Sequence, residues 1–265
     1  LVLGGKSINV KSGGNDVTVG IAGAAATSAA AITDVTITGG GVTFIDNTGG
    51  ALGITTSTGT TLKTVTLNGM AGAGATISGA AVDTINLNNQ TTALATTVTN
   101  ATSTALTINA TNAGVAAVAF TPVAGVTFAA GTAATSVTVN SLGVANNIAA
   151  GGVAVTSLNL NGSANLTLTN QSVAAAATIT STGAGNRTLS TTLATDTKYV
   201  GGTGADSVSF AATTVASSLG WGDDVATITA AITGAYVALA DAIKWAKKLV
   251  NNDEVDIKHY YELMI

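Results

Sequence analysis

The sequence predicts an all-β protein, a right-handed parallel β-helix or related β-solenoid with a short C-terminal α-helical cap. Three observations lead there. A phrase of two apolar residues around one small polar residue, closed by Asn, recurs along the chain. Strand-like cores are short and broken by Gly, Asn and Ser every eight to twelve residues. Charged residues make up 8% of the chain and aromatic residues 4%.

The phrase reads Val65-Thr66-Leu67-Asn68, Ile85-Asn86-Leu87-Asn88, Leu106-Thr107-Ile108-Asn109, Val137-Thr138-Val139-Asn140 and Leu158-Asn159-Leu160-Asn161, with its Asn residues 20, 21, 31 and 21 positions apart. Repetition at a period near twenty marks stacked, nearly identical units. If the phrase is a strand and Asn its corner, the side chains form a ladder along the stack. Strand cores are expected at Val35–Ile37, Val65–Leu67, Ile85–Leu87, Leu106–Ile108, Val118–Phe120, Val137–Val139, Leu158–Leu160, Leu166–Leu168 and Val208–Phe210. About ten coils at ~4.8 Å spacing give a rod of about 50 Å. The step of 31 contains Pro122, so a bulged loop or a change in coil shape is expected there.

Two segments follow from composition. Residues 1–224 form the expected solenoid body. Residues 225–265 form a helical cap and charged tail: Ile232, Tyr236, Leu239, Ile243 and Leu249 fall near helical spacing, with Asn251 and Asn252 as a stop. Residues 241–265 hold nine of the chain's 22 charged residues. A cap of this kind covers the last open coil and blocks edge-to-edge growth.

A thin interior filled by small and β-branched residues explains how so few aromatic residues suffice. Net charge is -4 and the pI is about 4.7, so the chain lacks the basic patch a nucleic-acid partner requires. Mean hydropathy is +0.49, yet no stretch provides about 18 consecutive apolar residues for a membrane helix. Four Tyr and two Trp are too few for the girdles of an outer-membrane barrel. There is no cysteine, which excludes disulfides and thiolate metal sites. The chain starts at Leu1, and a fragment or processed product is expected.

The chemistry-bearing motif is Gly201-Gly202-Thr203-Gly204-Ala205-Asp206-Ser207-Val208-Ser209. It has the form Gly-Gly-x-Gly-x-Asp-x-apolar-x. Glycines allow a tight turn on which carbonyl oxygens converge, Asp adds a carboxylate, and calcium accepts six to eight such oxygens. Two partial copies exist. Gly220-Trp221-Gly222-Asp223-Asp224 begins 19 residues after Gly201, about two nine-residue steps, and Gly13-Gly14-Asn15-Asp16 precedes an alternating strand. Candidate calcium residues are therefore Gly201, Gly202, Gly204, Asp206, Gly220, Gly222, Asp223 and Asp224, with Asp16 at the other end.

Residues 201–224 resemble the repeats-in-toxin calcium module. The Thr-, Ala- and Asn-rich remainder resembles the β-strand-repeat bodies of bacterial surface-layer proteins and large adhesins exported by type I secretion. The resemblance implies folding outside the cell when calcium becomes available, and an export signal at the extreme C-terminus. Glu262-Leu263-Met264-Ile265 has the acidic-then-apolar form seen in several such proteins, while the lysine-rich stretch before it departs from many.

Catalytic patterns are nearly absent, and no enzyme is expected. His259, the single histidine, lies beside Tyr260 and Tyr261 in the charged tail and reads as a solvated or interface residue. No Gly-x-Ser-x-Gly elbow with triad partners occurs. Asp16, Asp34, Asp46, Asp83, Asp196 and Asp206 are too dispersed for a glycosidase groove. The expected function is structural: an extracellular, cell-surface subunit of a surface layer or matrix that assembles with copies of itself and with calcium. Cell-surface polysaccharide is a further expected partner. The alternatives are an adhesin stalk or phage-type fibre that binds a glycan or surface, and an ice-binding solenoid. Thr-x-Thr phrases at Thr36–Thr38, Thr64–Thr66, Thr167–Thr169 and Thr178–Thr180 suggest the last, without one constant register.

Overall fold

A computed structural model describes residues 7–19, 33–41, 43–46, 62–71, 74–79, 81–91, 94–99, 103–114, 118–122, 134–150, 155–171, 173–211, 215–229 and 237–238. All regular structure among them is β. Among the described residues, twenty-one strands alternate between two sheets. Odd-numbered strands form an 11-stranded sheet and even-numbered strands a 10-stranded sheet, each in sequence order. Every pairing is parallel. Each odd strand and the even strand after it make one rung, and the next rung lies directly alongside. The arrangement is consistent with a β-solenoid.

The odd sheet runs through β1 (Ser7–Lys11), β3 (Asp34–Thr38), β5 (Thr64–Asn68), β7 (Thr84–Asn88), β9 (Ala105–Thr111), β11 (Ser136–Leu142), β13 (Ser157–Asn161), β15 (Thr178–Ser181), β17 (Lys198–Val200), β19 (Ser217–Ser218) and β21 (Val237–Ala238). The even sheet comprises β2 (Val17–Val19), β4 (Thr43–Asp46), β6 (Gly74–Ser78), β8 (Leu94–Thr99), β10 (Val118–Pro122), β12 (Ala145–Ala149), β14 (Asn165–Asn170), β16 (Arg187–Leu189), β18 (Ser207–Phe210) and β20 (Val225–Ile228). All nine expected strand cores lie in these strands.

Alternation explains the layering. In β3, β5, β7 and β13 every second residue is buried, because successive strand residues point to opposite faces. Val65, Leu67, Ile85, Leu87, Ile108, Val139, Leu158 and Leu160 are fully buried between the sheets. Thr and Asn hold the outward positions: β-branched Thr suits a half-exposed strand, and Asn, ordinarily depleted in strands, is held there by amide bonds between rungs.

The Asn residues do not form the single ladder that the phrase suggests. Asn68 pairs with Asn88, but Asn88 pairs with Thr111, and Asn86 is the residue opposite Asn109. From there Asn140 and Asn161 continue the column. The phrase thus slips by two residues between β7 and β9. A two-residue slip keeps every side chain on its own face, so the hydrophobic pattern is indifferent to it. Side-chain amides fix the choice: Asn109 Nδ2 donates to Asn86 Oδ1 at 2.8 Å and Asn161 Nδ2 to Asn140 Oδ1 at 3.3 Å.

Nor is that Asn the corner. The corner is the residue after the strand, and it is left-handed in six successive rungs: Gly39, Gly69, Asn89, Asn112, Gly143 and Gly162, with φ from 52° to 96°. Only Gly and Asn fill the column, the two residues for which this conformation costs least. Asn112 Nδ2 donates to Asn89 Oδ1 at 3.3 Å, which ties two corners together.

The bulged loop expected around Pro122 falls largely on residues 115–117 and 123–133, outside the described residues, and the change of pairing beside it is confined to one sheet. β9 and β11 pair over seven residues without a shift. In the other sheet β10 pairs with β8 over five residues but with β12 over two, and Pro122 ends β10, where a missing N–H is tolerated. The expected C-terminal helix is not seen among the described residues. Val225–Ile228, where the expected helix begins, is a strand paired with β18, and Val237–Ala238 pairs with β19. Tertiary pairing has overridden the helical spacing there. The rest of the expected cap, with His259 and the terminal Glu262–Ile265, lies outside the described residues. Among the described residues no helix is long and apolar enough to cross a membrane.

Candidate cation-binding turns

After β13 the odd-to-even turns adopt a shared pattern. Gly162-x-Ala164-x-Leu166 is followed by Gly183-x-Gly185-x-Arg187, Gly202-x-Gly204-x-Asp206 and Gly220-x-Gly222-x-Asp224. Strand register places the fifth residues in one column: Leu166 pairs with Arg187, and the pairs Thr188–Ser207 and Ser207–Val225 put Arg187 beside Asp206 and Asp206 beside Asp224. The rung length between the last two turns is 18 residues, or two nine-residue steps. Gly220 therefore stacks on Gly202 rather than on Gly201.

Glycine is required because the turns lie against one another. A Cβ on Gly202 would stand 2.6 Å from the Gly183 carbonyl oxygen, and one on Gly204 would collide with the Gly185 carbonyl. Gly220 and Gly222 meet the carbonyls of Gly202 and Gly204 in the same way, with φ of 87° and 156°. The stack thus aims a row of backbone carbonyls from each turn toward the next.

Inside this column sits a buried ionic cluster. Arg187, Tyr199 and Asp206 are each 1% exposed or less. Asp206 Oδ2 accepts from the Tyr199 hydroxyl at 2.7 Å, and Oδ1 accepts from the Arg187 backbone N–H at 3.0 Å. The Asp206 backbone N–H in turn donates to Asp224 Oδ1 at 2.8 Å. The guanidinium turns the other way: Nη2 donates to the Gly162 carbonyl at 2.7 Å and Nη1 to the Ala164 carbonyl at 2.9 Å. Burial raises the Asp206 carboxyl above its usual range, against the opposing effects of the Tyr199 and Arg187 hydrogen bonds. Burial first, then Asp206, pushes the Tyr199 hydroxyl up beyond any physiological titration.

Of the residues singled out by sequence, Gly202, Gly204, Asp206, Gly220, Gly222 and Asp224 come together in two adjoining turns. Gly201 flanks them, since a Cβ there would approach Asp206 Oδ2 to 2.9 Å. Asp223 is exposed. Asp16 precedes β2, eight sheet positions from β18, roughly 40 Å away at the usual strand spacing. Among the described residues no three His, Cys, Asp or Glu side chains form a metal-binding group. Any cation held here would rest on carbonyl oxygens with Asp206 and Asp224, a donor set that suits calcium. Two observations fit such an ion: Asp224 Oδ2 is buried without a hydrogen-bond partner, and a guanidinium already occupies the carbonyls of the Gly162 turn.

Arg187 and Tyr199 were not apparent as site residues in the sequence. The Gly183-x-Gly185 spacing, which matches 202–204 and 220–222, was the available signal for Arg187. No protein-family model matches the chain, and a search of curated proteins finds no match. The class rests on the fold alone: an all-β stack of two long parallel sheets.

Proposed function

We propose that this chain is a structural β-solenoid of the extracellular cell surface, a surface-layer or matrix subunit that assembles with copies of itself and is stabilised by calcium at its last turns. The observation that carries the reading is the absence of charge in eleven successive strands, β5 to β15. Flat Thr- and Asn-lined faces with no ionic groups approach one another without repulsion or the cost of desolvating charge. The carbonyls of the Gly183, Gly202 and Gly220 turns with Asp206 and Asp224 would hold the calcium, which supplies positive charge to a column of acceptors.

The C-terminal cap belongs to the same reading. Every residue of β20 is exposed, with Val225 56% and Ile228 51%, and an amphipathic segment after it would cover this apolar rung. Purified protein should pass from monomers to ordered arrays as calcium rises into the millimolar range, visible by electron microscopy. Protein that stays monomeric throughout overturns the assembly reading.

A second reading has its own observation. Register aligns Thr64, Thr84, Thr107 and Thr138 in one outward column, with Asn159 and then Thr180 beyond. This constant register, not apparent from the sequence, favours a repeating surface such as ice as ligand. Thermal hysteresis that a Thr107→Tyr change abolishes would support it.

A further inference from the structure

We propose that Arg187 is a built-in cation: its guanidinium does for the Gly162 turn what bound calcium does for the later turns, so that cation dependence begins one coil beyond it. This rests on the calcium reading above and adds where along the stack that dependence starts.

The sign of the charge changes down one column. Leu166, Arg187, Asp206 and Asp224 occupy equivalent places in four successive coils. Arg187 reaches back one coil, and its two terminal nitrogens serve the carbonyls of Gly162 and Ala164. Those carbonyls belong to the same turn positions as Gly183 and Gly185, and as Gly202 and Gly204. One coil on, the column residue is a carboxylate. The Asp206 side chain has no N–H with which to serve the Gly183 and Gly185 carbonyls, its backbone N–H being given to Asp224 Oδ1, and its carboxylate adds acceptors to acceptors. Asp224 is again a carboxylate, with one buried oxygen unpartnered, although here the Trp221 backbone N–H serves the Gly202 carbonyl at 2.8 Å. Positive charge is thus covalently supplied to the first turn of the series, whereas the Gly183 and Gly185 carbonyls and Asp224 Oδ2 have no side-chain cation and would draw one from solution.

Arginine suits the role because its planar fork meets two carbonyls at once and keeps its charge when buried. It is completely buried, which requires such partners. Leucine in the coil before shows that the column also tolerates an apolar side chain.

The test is hydrogen exchange of the full chain by mass spectrometry, with millimolar calcium and with EGTA. In the parent protein, calcium should slow exchange of residues 198–228 by roughly tenfold or more and leave 157–189 within about twofold. Arg187→Asp should move the boundary, so that 157–189 also becomes calcium-dependent. Arg187→Leu should expose 157–171 to faster exchange with and without calcium. Equal calcium protection of both segments in the parent overturns the proposal, as does an unmoved boundary in Arg187→Asp. If calcium protects neither segment, the calcium reading fails. The Arg187→Leu result then judges the guanidinium alone, and unchanged exchange of 157–171 overturns its role too.

Discussion

Asn140 Nδ2 donates to Asn109 Oδ1 at 2.7 Å across 31 residues of chain. This contact is as good as those made across shorter steps, such as Asn109 to Asn86. The extra length between the two rungs therefore leaves the odd sheet undisturbed. The ladder continues to Thr182, which donates to Asn161 Oδ1 at 2.5 Å, and begins at Thr66, which accepts from Asn86.

The ladder predicts an asymmetry among substitutions at Asn140. Asn140→Asp removes the donor and sets two acceptors against each other. It should cost about 1–2 kcal/mol, read as a lower urea midpoint with an unchanged slope. Asn140→Thr should cost less than half as much, because Thr already serves this column at both ends. Equal losses would show that the amide ladder does not set the register.

Tyr199→Phe keeps the ring in the core and removes only the hydroxyl. Asp206 Oδ2 then loses its donor in a buried place, and the expected loss is about 1–3 kcal/mol. Thermal unfolding without calcium would measure it. A Tyr199→Phe protein as stable as the parent would mean that water or an ion replaces the hydroxyl.

Acid should favour the Asp206 region, contrary to the usual effect of a paired carboxylate. Its carboxyl is raised by burial, so between the ordinary Asp value and the raised one the folded state binds more protons than the unfolded state. Stability then falls as pH rises through that window, and is fully present below the unfolded value. Asp206→Asn should remove this component, so the difference in unfolding midpoint between variant and parent should grow with pH in calcium-free buffer. A constant difference from pH 3.5 to 7, on the order of the whole Asp range, would refute it.

The corner column separates three glycine changes. Gly69→Asn should be nearly neutral, since Asn89 and Asn112 hold the same left-handed corner in the next two rungs. Gly69→Ala has room, its nearest neighbour being the Asn89 carbonyl at 3.8 Å, and should lose only about 1–2 kcal/mol of backbone strain. Gly143→Ala combines φ of 78° with a collision against Asn112 Oδ1 and should be the worst of the three. Melting temperatures of the three variants give the order directly.

Much of this protein could be read from its residues. Alternating apolar positions placed all nine expected strand cores, because a strand's inward face needs no knowledge of its neighbour. The Gly-x-Gly-x-Asp spacing located the turns around Asp206 and Asp224, since tight stacking of backbone admits little else. The sequence also pointed to a helix from Val225, where its spacing misled: pairing with Val208 and Phe210 decides that stretch.

Register and the interior cluster belonged to the tertiary structure. A slip of two residues leaves every apolar side chain on its own face, so only the meeting of Asn86 with Asn109 could choose between registers. Arg187 and Tyr199 lie 19 and 7 residues before Asp206, and only the repeated Gly-x-Gly spacing links Arg187 to it, with nothing local to link Tyr199. They become one buried group because stacking brings successive turns within hydrogen-bond reach. Local spacing determined which residues point inward; contact between coils determined what they meet there.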